Sequence, residues 1–168
     1  IVTNAGGLNP QSMTNEIKQI LNELNIDMKV AYIEGDNLMS RIEELQKNGE
    51  EFTNIDKEIS LKDSGFHVLT ANAYLGAWGI KKALDKGADI VVCPRVTDAA
   101  VVMGPAAWRF NWERDDFDKL AGALAAGHII ECGCQATGGN YAFFEEVPSF
   151  ENVGFPIAEI QSDGSFFI

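Results

Sequence analysis

The sequence predicts an α/β fold: a mostly parallel sheet of about five strands with flanking helices, closing in a β-hairpin. Three observations point there. Short apolar runs such as "IVT" and "DIVVC" lack polar alternation, as strands covered on both faces do. Each run leads into a loop of small and polar residues, and then into a segment whose apolar positions recur at three and four. That plan repeats along the chain, which is the pattern of parallel strands joined by right-handed crossovers.

Taken in order, Ile1 to Asn4 is a short apolar strand followed by a Gly-rich loop. A helix is expected from about Gln11 to Leu24, because Met13, Ile17, Ile20, Leu21 and Leu24 fall on one face. "DMKVAYIEG" is a second strand ending at Glu34, Gly35 and Asp36, and "NLMSRIEELQKNG" is a helix closed by Gly49 at C′. Residues 50–65 are charged and aperiodic, an exposed loop or insertion. "HVLTANAYLGAWGIKKALDKG" then gives a strand to about Thr70, a loop, and a helix ending at Gly87. "ADIVVCPRVTDAAVVMGPAAW" repeats this with a strand from Asp89 to Cys93 and a helix after Asp98. "DDFDKLAGALAAGHIIECGCQATGGN" gives a helix of small residues, a strand from His128 to Cys132 and a second Gly-rich loop. "IAEIQSDGSFFI" is a hairpin around a Ser-Asp-Gly turn. The 168 residues suit one domain, and the apolar first and last residues predict an excerpt of a longer polypeptide.

Charge and cysteine usage narrow the function classes. Acidic residues outnumber basic ones 25 to 13, giving a net charge of −12 that repels a phosphate backbone and argues against nucleic acid. No apolar run is long enough for a membrane span, and no signal-like segment opens the chain. The three cysteines, Cys93, Cys132 and Cys134, read as reduced thiols packed as small hydrophobes, hence a cytoplasmic protein. A zinc site needs about four ligands. With two scattered histidines beside the Cys132–Cys134 pair, no metal is expected.

In a parallel α/β sheet the ligand lies at the carboxyl ends of the strands, so the loops there hold the candidates. For ligand binding they are Asn4, Gly6, Gly7, Asn72, Arg95, Thr97, Gln135, Thr137, Gly138 and Gly139; for catalysis, Asp98 and Glu131. Asn4, Gly6 and Gly7 serve either a tight turn or an anion cradle at the start of the first helix. Arg95 has the fork geometry for a carboxylate or phosphate, and Asp98 could be a general base. The alternative makes Asp98 a helix cap and Arg95 its partner. Glu131 interrupts a strand, and is either an acid/base group or an edge residue. His128 precedes that strand, on the far side from the loops, as a core or cap histidine, and Trp78, Trp108 and Trp112 read as packing.

Five blocks, "IVTNAGGLNP", "VLTANAYLGAWGI", "GADIVVCPRVTDAAVVMGPAAW", "AGHIIECGCQATGGN" and "NVGFPIAEIQSDGSF", resemble in this order the acyclic terpene utilisation family of geraniol and citronellol breakdown. The resemblance spans the chain apart from residues 50–65. It implies a protein of several hundred residues, working beside biotin-dependent acyl-CoA carboxylases and other enzymes of branched acyl-CoA catabolism. It brings no assignment of catalytic residues. Pro94 departs from it where Gly is expected in many members, and restricts Cys93 to extended geometry. The resulting expectation is an enzyme of branched acyl-CoA or terpenoid acid catabolism, hydratase- or lyase-type, whose anionic substrate is a coenzyme A thioester. The alternative is a non-catalytic assembly partner of an acyl-CoA-metabolising enzyme, as one subunit of an oligomer or complex.

Overall fold

A computed structural model describes residues 1–138 and 141–168. Its centre is a three-stranded parallel sheet of β1 (Val2–Thr3), β2 (Val30–Tyr32) and β3 (Ile90–Val92), in the spatial order β1, β3, β2. β3 is central, with Val91 opposite Val2 and Ala31 in register. Its side chains alternate between two cores. Ile90 and Val92 pack with Val30, Tyr32 and the apolar face of α1 (Pro10–Glu23), represented by Met13, Ile17 and Leu21. Val91 and Cys93 pack on the other side with Ile80, Leu84 and Ala100, from α4 (Trp78–Asp85) and α5 (Ala100–Arg109). The sheet is thus the middle of three layers, which explains why β3 is apolar at every position.

The first helix begins where local chemistry dictates. The Asn9 side chain accepts from the Ser12 amide at 3.0 Å, and Pro10 occupies the first helical turn, where a missing N–H costs nothing. The segment after β2 forms a short 3-10 turn at Met39–Arg41 and α2 (Ile42–Lys47), with Gly49 at φ +96° just past the end, as expected. Residues 50–65 are largely irregular and exposed, but end in the one-turn helix α3 (Leu61–Ser64), capped by Ser60. Gly87 at φ +81° ends α4 as predicted.

Two of the expected strands do not form. Residues 67–70 are irregular, and Leu69 is 82 % exposed. Both edges of β3 are already taken by β1 and β2, so this run lacks a slot in the interior of the sheet. Pairing is deferred to two single bridges further on, Asn37 with Asn72 and Leu75 with Val96. The run His128 to Cys132 is not a strand either. It is the last turn of α6 (Phe117–Cys132), a continuous helix that buries Ala123, Ala126 and Gly127. Three apolar residues alone cannot distinguish the two states, and the buried spacing of three and four upstream continues into them. The predicted five-strand parallel sheet is therefore three strands, and His128 and Glu131 are exposed on a helix rather than in a sheet.

Glycines fix how the helices meet. A side chain at Gly104 of α5 would strike Ile80 of α4 at 2.6 Å, and one at Gly127 of α6 would strike Ala99 at 2.8 Å. The C-terminal hairpin forms as predicted, from β4 (Glu159–Ile160) and β5 (Phe166–Phe167), antiparallel, with Gly164 at φ +88° in the turn. It docks where Gly122 of α6 lets the Gly164 backbone approach, and where the buried Trp112 donates its Nε1 hydrogen to the Ser162 carbonyl at 2.9 Å. A second core of Ala106, Ala107, Trp112 and Ala123, with Ile160 against it, fills this junction.

Asp116 anchors the start of α6. It accepts from the Lys119 ammonium at 2.7 Å and from the Glu113 amide at 2.8 Å. The Lys119 contact first, and then the Glu113 amide, hold its carboxyl below the usual range. A carboxylate with a lowered folded-state pKa stabilises the fold above its unfolded value, near 4, and loses that contribution as pH falls through the folded value. Thermal unfolding of Asp116→Asn against the parent should therefore differ at pH 7 and converge toward pH 3. Gly6→Ala, which places a methyl 2.6 Å from the Cys93 carbonyl, should cost about 2 kcal/mol by overpacking. In a chain of this size that lowers the melting temperature by roughly 4–8 °C.

Candidate functional site

Because the three strands are parallel, the segments leaving β1, β2 and β3 emerge at one rim. Hydrogen bonds tie these segments together. The Cys93 amide donates to the Thr3 carbonyl at 2.7 Å, and the Ile33 amide to the Val92 carbonyl at 2.9 Å. Residues 71–75 cross the same rim: Ala73 donates to the Asp36 carbonyl at 2.7 Å, Leu38 to Ala71 at 2.8 Å, and Leu75 to Arg95 at 3.1 Å. Thr97 completes the clasp by donating to the Leu75 carbonyl at 2.9 Å. Four stretches distant in sequence thus form one platform.

On it, Gly6 is buried and touches the backbone of Cys93, so its role is close approach between the first and fourth loops. Gly7 has φ +52°, and Asn4 beside it is exposed. Asn72 is half-buried and donates from Nδ2 to the Asp36 carboxylate at 2.8 Å; Asp36 itself is only 5 % exposed. This bond locks the Asn72 side chain. Asp36 meets two rim segments through one residue, a link that only the tertiary pairing reveals.

Arg95 is exposed, with its guanidinium carbon 5.2 Å from the centroid of the Tyr74 ring. Among the described residues it makes no ion pair, so it does not pair with Asp98. Nor does Asp98 cap α5, whose N-cap is Ala99 with no side-chain bond. Pro94 beneath Arg95 is fully buried, and this stiffens the base of the loop. The result is a cation held over an aromatic face with its hydrogen-bonding fork open. Tyr74, absent from the candidate ligand set, is the residue that orients it.

Helix α6 ends at the same rim because Gly127 packs on Ala99, the residue after Asp98. Glu131 accepts from the Cys132 thiol at 3.7 Å, and the carboxylates of Glu131 and Asp98 both act on that thiol. Partial desolvation first, then the Glu131 and Asp98 charges, raise the Cys132 pKa. The two candidate catalytic carboxylates therefore share a neighbourhood, although Glu131 reaches it from a helix. Cys132 is exposed, as is Cys134, so the expectation of buried thiols holds only for Cys93, whose burial pushes it up to about 11.

The remaining candidates gather elsewhere. Gln135 is exposed in a 3-10 turn, Gly133–Gln135. Thr137 lies with its hydroxyl against the Cys134 and Gly154 carbonyls, and with Gly138, at φ +111°, it lines a cavity of about 450 Å³. Tyr141, Phe150 and Gly154 are among its other lining residues; Asn72, Arg95 and Asp98 do not line it. Gly139 lies outside the described residues. Among the described residues no group of three or more His, Cys, Asp and Glu is arranged to hold a metal ion, and no helix is long and apolar enough to cross a membrane.

The thiol reports on the carboxylates beside it. Alkylation of Cys132 by iodoacetamide at pH 8, followed by mass spectrometry of the labelled peptide, should be slower than that of Cys134. Either Glu131→Gln or Asp98→Asn should speed it. An unchanged rate in both variants would show that neither carboxylate acts on the thiol.

The comparisons with curated proteins and with solved structures return no match. The family model described as acyclic terpene utilisation family protein AtuA matches residues 1–168, the full length of the chain, including the stretch 50–65 that the sequence blocks leave out. With its rim loops built from the blocks that carry the resemblance, the chain belongs to the acyclic terpene utilisation family.

Proposed function

We propose that this chain is part of an enzyme of branched acyl-CoA or terpenoid acid catabolism, of the hydratase or lyase type, and carries its substrate at the carboxyl rim of the sheet. The observation that carries this reading is Arg95. It stands exposed over Tyr74, unpaired among the described residues, with Asp98 three residues away. An open guanidinium suits a phosphate or a carboxylate, and a coenzyme A thioester of a terpenoid acid brings the phosphates of its coenzyme A part. The exposed Gly7 backbone and Asn4 add donors at the next loop.

The chemistry falls to the two carboxylates. In hydration, Asp98 takes a proton from water as the water oxygen bonds to the β-carbon of an activated double bond, and Glu131 serves as the acid that delivers a proton to the α-carbon. In carbon–carbon lysis the same groups run in the bond-breaking sense: one removes the hydroxyl proton, and the other protonates the carbanion released. Both reactions need a proton donor and acceptor at one place, which is what brings Glu131 into the proposal beside Asp98.

A second reading, a non-catalytic assembly partner, is favoured by one specific feature. Phe143, Phe144, Phe150, Phe155 and Ile157 are all exposed within one stretch of the C-terminal region. Exposed aromatic clusters of this kind mark contact surfaces.

Calorimetry of the full-length protein with a branched enoyl-CoA should show binding that Arg95→Ala weakens by about one to two powers of ten, the scale of a lost charge-assisted pair. Absence of binding to the intact protein would remove the enzymatic reading. Asp98→Asn should retain binding and lower turnover by about 10²–10⁴-fold. Full pathway flux in a strain carrying Asp98→Asn, with co-purification of an acyl-CoA enzyme, would favour the assembly partner instead.

A further inference from the structure

The outer edge of β2 carries features that the carboxyl rim does not use. Ile33 donates to Val92, and Lys29 accepts from Ile90, so the odd-numbered residues of this strand turn their backbone groups toward β3. By the alternation of a parallel ladder, the amides and carbonyls of Val30 and Tyr32 face outward. Beside them runs a groove of about 430 Å³ between β2 and α4. Its floor is apolar, with Ala31, Ile33 and Ala83, and its walls bear Lys29, Lys82 and Lys86 against a single carboxylate, Glu34. These three lysines are exposed and form no ion pair among the described residues. In a chain of net charge −12, a groove with three lysines and one glutamate stands against the general field.

We infer that the open edge of β2 is a docking site for an extended acidic segment of a partner protein, which adds to the sheet as a fourth strand. Its backbone would bond to Val30 and Tyr32, and its alternate side chains, entering the groove, would set carboxylates among Lys29, Lys82 and Lys86. Lysines also guard strand edges against unwanted pairing. Guarding needs charge on the strand itself. Here two of the three lysines come from the end of α4, Lys82 within the helix and Lys86 at its C-cap, and line a groove with an apolar floor.

The test uses a dye-labelled octapeptide of alternating Val and Glu, capped at both ends, read by fluorescence anisotropy against the full chain. Binding should weaken about tenfold with Lys82→Gln/Lys86→Gln, and about tenfold when alternate peptide amides are N-methylated, since the first removes charge and the second removes the ladder. Amide resonances of Val30 and Tyr32 should shift on titration. The peptide failing to bind, a Val/Lys peptide binding equally well, or N-methylation having no effect would each overturn the proposal. So would sedimentation showing a dimer that excludes the peptide, which would assign the edge to a second copy of the chain.

Discussion

The burial of one short strand governs the rest of this structure. Val91, Val92, Cys93 and Pro94 are essentially inaccessible to solvent, and each face of β3 is covered by its own helical layer. Burying a side chain of this size contributes about 1.5–3 kcal/mol, and four in a row fix the register of the strand against both neighbours. Because Pro94 is locked at the end of that run, Arg95 emerges at a defined point on the rim. The position of the open guanidinium is thus set by apolar packing beneath it.

Tight contacts at glycine extend this control outward. Gly6 ties the first loop to the end of β3, Gly104 seats α5 on α4, and Gly127 seats α6 on the residue after Asp98. Each is a place where a methyl group would force the backbones apart. The last of them brings the end of α6 to the start of α5, where the Asp98 charge acts on the Cys132 thiol. A helix packed on small residues thereby delivers the second carboxylate to a rim otherwise made of strand-end loops.

The chain has two faces with opposite electrostatic character. The carboxyl rim places Arg95 over Tyr74, with Asp98, Glu131 and the bonded Asp36 among the carboxylates there. The outer edge of β2 is basic and backed by unpaired strand groups, an arrangement suited to a polypeptide.

Much of the layout was legible in the sequence because local rules decide it. Apolar continuity marked β1 and β3, periodicity marked α1, and Gly49, Gly87 and the Ser162–Gly164 turn marked where elements end. The five ordered blocks likewise point to the family whose model matches the full chain. Local rules were silent where the outcome depends on a partner. The run 67–70 had strand composition but no interior slot beside β3, and His128 to Cys132 joined a helix because the buried spacing of Ala123, Ala126 and Gly127 carried through it. Arg95 and Asp98 could be nominated from their place after a strand, since strand ends converge in any parallel sheet. That Arg95 rests on Tyr74, that Asn72 is bound to Asp36, and that Thr137 and Gly138 face a separate cavity were decided only by tertiary packing, because each depends on which distant segments share an edge.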